Sequence, residues 1–165
     1  MSDIIIREAV VADAPTMASI HVRTWQSAYA DIMPADFLKT LCEEKSTAFW
    51  IQELSRGKSI NRVAMADSQI VGWASGGPCR DQDSADSAEI YAIYVSPESQ
   101  GRGTGKQLMQ RLTEDLSQGS DIVLWVLEQN HSAIGFYAQL GYTPDGATKT
   151  LRIGGRELVE IRFRK

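Results

Sequence analysis

Apolar positions along this chain recur with a period near two in some stretches and near three and a half in others, and each change of period marks a new element. Ile4 to Ile6 is a short β-branched run that predicts a first strand. Asp13-Ala14-Pro15 opens a helix, because Asp caps well and Pro is tolerated in a first turn. Met17, Ile20, Thr24 and Ala28 fall on one stripe of that helix, with Val22, Trp25 and Tyr29 on an adjacent one. Pro34 starts a second helix whose apolar positions are Phe37, Leu38, Leu41, Phe49 and Leu54, ending before Gly57. Two strands follow, Arg62 to Ala66 and Ile70 to Ser75, about a tight turn at Asp67-Ser68-Gln69.

Pro78 to Ser87 is polar, carries Asp81, Asp83 and Asp86, and reads as a loop. Glu89 to Val95 is a strand; regular alternation puts Glu89, Tyr91, Ile93 and Val95 on one face and Ile90, Ala92 and Tyr94 on the other. After a glycine-rich turn a helix runs to about Ser117, with Leu108, Met109, Leu112 and Leu116 at helical spacing. Ile122 to Leu127 is continuously apolar, as expected of a buried strand in parallel pairing. Asn130 to Leu140 predicts a short helix with Ala133, Ile134, Tyr137 and Leu140 inward, stopped by Gly141. Strands around Thr148 to Ile153 and Glu157 to Phe163 close the chain, joined at Gly154-Gly155. The β-α-β-α centre implies parallel pairing and the short turns imply antiparallel pairing, so the fold expected is α/β, a mixed sheet covered by helices. No linker or repeat interrupts the order, and residues 1–165 are read as a single domain.

Composition narrows the function. A chain of 165 residues buries roughly 70% of its unfolded surface and needs no metal or disulfide to be stable. A net charge of -4 argues against nucleic acid as the partner, since phosphate binding leaves a basic footprint. Cys42 and Cys79 form no CxxC pair, and His21 and His131 lie far from both, so no metal site is expected. Met1 to Glu8 lacks a basic segment leading into a long apolar one, and no apolar run approaches the ~18 residues of a membrane span. A cytoplasmic protein with reduced thiols and no membrane partner is the default expectation.

The chemistry begins at Ser96 to Lys106, a turn that follows a strand and opens a helix. Such a turn presents backbone N–H groups without intrahelical partners and the positive end of the helix dipole, together an anion site. Glycines at 101, 103 and 105 let the backbone approach a phosphate. A Walker A loop is excluded, because Gly101 to Gly105 leaves three intervening residues and Gln107 follows the lysine. The dinucleotide fingerprint is excluded because Lys106 stands where its third glycine belongs. Gln100, Gly103 and Gly105 do match Q/R-x-x-G-x-G/A, the pyrophosphate-binding motif of the GNAT superfamily of acetyl-CoA-dependent N-acetyltransferases. Further on, Asn130, Ala133, Phe136, Tyr137, Leu140, Gly141 and Tyr142 resemble that family's N-x-x-A-x-x-F-Y-x-x-L-G-F/Y signature, with every named position filled.

The resemblance covers nearly the whole chain in element order. It implies a mostly antiparallel sheet whose central parallel strand pair splays to admit the pantetheine arm of acetyl-CoA. It further implies that the backbone from Gly101 through Arg102, Gly103, Thr104 and Gly105 to Lys106 holds the pyrophosphate, with Arg102 and Lys106 adding charge. Ile93, Tyr94 and Val95 would lie along the arm as a neighbouring strand does. Asn130, Ala133 and Phe136 would contact the cofactor, and Tyr137 would donate a proton to the departing thiolate. Read from the residues alone, Tyr137 fits core packing, Asn130 fits a helix N-cap, and Arg102 and Lys106 fit solvated charges.

An attacking amine must be neutral, which costs about 4.6 kcal/mol at pH 7 for a lysine-like amine with pKa about 10.4. Glu89 is the candidate base: it starts the strand leading to the glycine turn, shares a face with Ile93 and Val95 by alternation, and stands where some family members carry a glutamate. The plainer reading is an exposed strand-end carboxylate. A covalent route through Cys79 lacks an activating base nearby in sequence. By the same resemblance the first helices and last strands shape the acceptor pocket, making Trp25, Tyr29, Tyr91 and the Gly154-Gly155 turn its expected lining. Asp81, Asp83 and Asp86 are candidates to steer a cationic amine. The acceptor expected is a small primary amine; a protein lysine or N-terminus and a non-catalytic acyl-CoA-binding module are the alternatives. A homodimer is common in the family.

Overall fold

A computed structural model describes residues 3–165. It contains the strands β1 (Ile5–Glu8), β2 (Ile60–Ala66), β3 (Gln69–Pro78), β4 (Ala88–Val95), β5 (Ile122–Leu127), β6 (Thr143–Ile153) and β7 (Arg156–Arg164). The helices are α1 (Ala14–Ala28), α2 (Ala35–Lys39), α3 (Glu43–Arg56), α4 (Thr104–Leu116) and α5 (His131–Gln139). The strands form one seven-stranded sheet in the order β1-β2-β3-β4-β5-β7-β6. Every neighbouring pair is antiparallel except β4–β5.

Both faces of the sheet are covered. On one, Leu108, Met109, Leu112 and Leu116 of α4 pack on Ala74, Ile90, Leu124 and Phe163, with α5 partly buried beside them. On the other, Met17, Ala18 and Ile20 of α1 and Trp50 of α3 pack on Val63 and Trp73. Each fully buried Leu or Met contributes about 1.5–3 kcal/mol. A third cluster, Ile32, Met33, Leu38, Leu127 and Leu158, joins α2 to the β5–β7 side of that second face. The uninterrupted apolar run of β5 follows from this double cover: Val126 faces α5 and Leu127 faces α2.

Three expectations change. The helix expected from Pro34 to Gly57 is two helices, because Cys42 adopts extended backbone (φ -126°, ψ 120°) and restarts the phase. Trp50 therefore turns inward against Trp73 while Phe49, expected inside, is 53% exposed. The hairpin turn is Asp67-Ser68 alone, both with positive φ, and Gln69 already pairs with Ala66. The largest change lies in β4. Ser75 pairs with Ala92 and Gly76 with Ile90, so Tyr91 is an extra residue, a β-bulge that reverses the alternation. Ile90, Ile93 and Val95 consequently share the α4 face, and Ala92 and Tyr94 the α1 face. Glu89, next to Ile90, does not share a face with Ile93 and Val95.

Candidate active site

The bulge is followed by a parting of the two central strands. β4 and β5 pair only at Ala88–Ile90 with Ile122–Leu124; beyond that point the ladder stops. A cavity of about 180 Å³ occupies the parting, lined by residues from both sides of the sheet. Ala133, Tyr137 and Val126 line it on the α5 side. Trp25, Tyr29, Met33, Leu151, Ile153 and Glu160 line it on the other, and Tyr91, Ala92, Ile93 and Tyr94 form the β4 wall.

At the far end of β4 the chain turns through Pro97–Ser99 into α4. Gly103 caps the helix in left-handed backbone (φ 82°), which an L side chain rarely adopts. The first i→i−4 bond of the helix start runs from Gln107 N–H to the Gly103 carbonyl (3.1 Å). The N–H groups of Thr104, Gly105 and Lys106 precede it and point out of the helix end. Arg102 and Lys106 are exposed beside them. Thr104 is 1% exposed, and its hydroxyl has no hydrogen-bond partner among the described residues. A Cβ on Gly105 would stand 3.2 Å from the Phe136 ring, so the glycine turn and the α5 motif touch where the helix must come closest. Gln100 tethers the turn to β4 through Nε2 to the Val95 carbonyl (3.0 Å). Backbone donors, two cations and a close, Cβ-free approach suit a diphosphate, and the parted strands suit a thin acyl-thioester arm.

Asn130 caps α5, its Oδ1 accepting from Ala133 N–H at 3.2 Å, while also lining the cavity beside Tyr29. Tyr137 projects into the same cavity. Burial first, then the neighbouring Tyr29 and Tyr142, pushes its phenol well above the ordinary tyrosine range, so it stays protonated at neutral pH. Tyr94 accepts a hydrogen bond from Trp25 Nε1 (2.7 Å), which ties α1 to the cavity wall. Tyr91 donates to the Pro78 carbonyl (2.6 Å), and its ring carries the Arg80 guanidinium at 4.4 Å.

Glu89 is neither exposed nor part of the cavity lining. It is 1% exposed and accepts three hydrogen bonds from Arg80: from the backbone N–H (2.9 Å), Nε (3.1 Å) and Nη2 (2.5 Å). The acidic loop is likewise engaged. Buried Arg162 of β7 binds Asp83 (2.7 Å), Asp81 (3.1 Å) and Asp145 (2.7 Å), and Trp125 Nε1 donates to Asp81. Asp81 and Asp83 thus clamp the loop to β7 and are compensated, which removes them as a steering field. Burial chiefly, with the charges of Glu89 and Asp81 adding to it, pushes the Cys79 thiol up, the opposite of what a nucleophile needs.

Sequence reading missed Glu160, Trp125, Met33 and the β6 residues Leu151 and Ile153. For Glu160 a signal existed: in β7 it stands in phase with Leu158, so a carboxylate occupies the row that packs inward. Among the described residues, no helix is long and apolar enough to cross a membrane.

The model of the acetyltransferase (GNAT) family matches residues 16–142. An uncharacterised N-acetyltransferase of Bacillus subtilis, YuaI, is 33% identical, covering 94% of this chain and 89% of the relative. An L-methionine sulfoximine/L-methionine sulfone acetyltransferase of Pseudomonas aeruginosa is 28% identical, over 86% of this chain and 81% of that one. The structure of YncA, a putative acetyltransferase from Salmonella typhimurium with its cofactor acetyl-CoA, superposes with a TM-score of 0.73 at 24% identity, over 99% and 94% of the two chains.

Proposed function

This chain belongs to the acetyltransferase (GNAT) family, and we propose that it acetylates the primary amine of a small molecule by direct attack within a ternary complex. It is an acetyl-CoA-dependent acetyltransferase. The whole of residues 1–165 acts as one catalytic domain in this reading. The cavity in the strand parting carries the proposal, because residues from both sides of the sheet line it, so that a thioester held by β4 and α5 and an amine among the α1, β6 and β7 residues would meet there.

Acetyl-CoA supplies an acyl group on a thiolate leaving group. The N–H groups between Gly101 and Lys106 hold its diphosphate, with Thr104, Arg102 and Lys106 beside them. Gln100 fixes the turn against Val95. Ile93, Tyr94 and Val95 guide the arm along β4, and Ala133 and Phe136 of α5 cover it. Asn130 holds the start of α5, and with it Tyr137, in place. Tyr137, kept protonated by burial, gives its proton to the departing sulfur. Trp25, Tyr29 and Tyr91 surround the acceptor. Walls on several sides favour a small amine over a protein chain, which calls for an open groove; the sulfoximine/sulfone acetyltransferase among the relatives supports the same choice. Glu89 is assigned to structure, since Arg80 occupies both its oxygens.

A thiol-release assay with acetyl-CoA and a panel of small primary amines and amino acids tests this. Release that depends on both substrates supports the reading. Release only with peptides or protein would overturn the small-molecule acceptor.

A further inference from the structure

With Glu89 locked by Arg80, the acceptor's proton needs another destination. Among the described residues that line the cavity, the one carboxylate is Glu160 of β7. Its side chain is 18% exposed and pairs with Lys149 Nζ at 3.2 Å. The two stand directly opposite in the β6–β7 ladder. The same ammonium lies 4.1 Å from the centre of the Trp125 ring. Lys149, 40% exposed, thus shows how a primary ammonium sits here: against a carboxylate on one side and an aromatic face on the other.

We propose that Glu160 receives the acceptor's ammonium and takes its proton, and that Lys149 is a resident counter-ion which the incoming ammonium displaces. This deepens the amine-acetylation reading and rests on it. The acceptor class that fits is a primary amine on an apolar or aromatic arm, the arm lying among Trp25, Tyr29, Met33, Leu151 and Ile153. Glu160 also acts electrically on the groups around the reaction. Burial chiefly, with its negative charge adding to it, raises the phenols of Tyr29 and Tyr94. Tyr29 in turn acts on Tyr137, so base and acid stand at two ends of one cluster.

The ammonium gives one proton to the Glu160 carboxylate, directly or through one water. The neutral nitrogen then attacks the thioester carbonyl, forming the C–N bond, and the C–S bond breaks as the carbonyl reforms. Tyr137 gives its phenolic proton to the sulfur and regains one from the new amide nitrogen, and Glu160 releases its proton to solvent.

The probe is 2-phenylethylamine, titrated into the full chain while tryptophan fluorescence is followed, since Trp25 and Trp125 line the site. Glu160→Gln is expected to weaken binding about ten- to a hundredfold, the range of a lost charge-assisted bond. Glu160→Asp should regain part of it, and Lys149→Met should tighten binding by removing the competitor. Coenzyme A binding by calorimetry should be unchanged in all three. In turnover, the effect should appear in the KM for the amine with Lys149→Met and in both KM and kcat with Glu160→Gln. The proposal is overturned if the wild type does not bind the probe, if Glu160→Gln binds it as well as the wild type, or if Lys149→Met weakens binding as Glu160→Gln does. Probe binding with this pattern but no thiol release would leave the site standing and defeat the acetylation reading instead.

Discussion

Replacing Glu89 by Gln separates a structural carboxylate from a catalytic one. In the folded chain its two oxygens accept three hydrogen bonds, all from Arg80, at 2.5–3.1 Å, and the residue is 1% exposed. Gln keeps one acceptor oxygen and turns an NH₂ group toward the Arg80 donors, so one or two of these bonds are lost. A charge-assisted bond contributes about 1.5–3 kcal/mol. The Arg80 side chain is 64% exposed, so solvent takes over part of its pairing. A net loss of about 2–3 kcal/mol follows. With a urea slope of about 2 kcal/mol/M, the unfolding midpoint should fall by about 1–1.5 M. The kcat/KM of the folded variant, measured by thiol release from pH 6 to 9, should stay within about threefold of the wild type, with the same profile. An unchanged midpoint together with a collapse in turnover that flattens the low-pH limb would refute this reasoning and restore Glu89 as the base.

Tyr137→Phe should lower kcat by about a hundredfold, in the range of a lost general acid, while calorimetry finds nearly unchanged coenzyme A affinity. A change in melting temperature alone would mean that Tyr137 only packs. Gly105→Val places bulk where an ideal Cβ already stands 3.2 Å from Phe136 and should raise the Kd for coenzyme A about tenfold or more, with circular dichroism unchanged. His21, stacked on Tyr94 at 5.2 Å, has its pKa lowered by burial. Its folded value lies below the unfolded value of about 6.5, so above that pH it leaves stability unchanged, and as pH falls through it the unfolded chain binds the proton first. Wild-type stability should therefore drop more between pH 7.5 and 5.5 than that of His21→Gln, in matched urea titrations.

The fold was legible where one physical signal ruled. Ile122 to Leu127 reads as a buried strand because both its faces are covered, and the four elements around the glycine turn end within a residue or two of expectation. Local patterning failed where one residue resets the phase. Cys42 breaks the second helix without a glycine or proline to announce it, and Trp50 replaces Phe49 inside. Tyr91 is the same lesson in a strand: alternation assumes that every residue pairs, and a bulge that answers to Ser75 and Gly76 across the sheet is invisible from β4 alone.

The glycine turn and α5, where the cofactor is proposed to bind, were legible as local structure because each is contiguous in sequence. Gly105 and Phe136 meet, which brings the turn and the helix together. The cavity wall proposed to take the acceptor was not, because it is assembled from α1, β6 and β7, and the polar groups around it are decided by long-range partners. Arg162 claims the acidic loop from far along the chain, Arg80 claims Glu89, and for Glu160 the one local signal was its phase with Leu158.

The proposed mechanism requires the chain between Gly101 and Lys106 to bind a coenzyme A diphosphate and to deliver its thioester between the parted strands to Tyr137. Isothermal titration of the purified protein with acetyl-CoA tests it directly. One binding event per chain is expected, with a Kd on the order of micromolar, weakening as salt rises and weaker by about tenfold or more in Gly105→Val. An absence of heat at any temperature, or equal binding by Gly105→Val, would contradict the account.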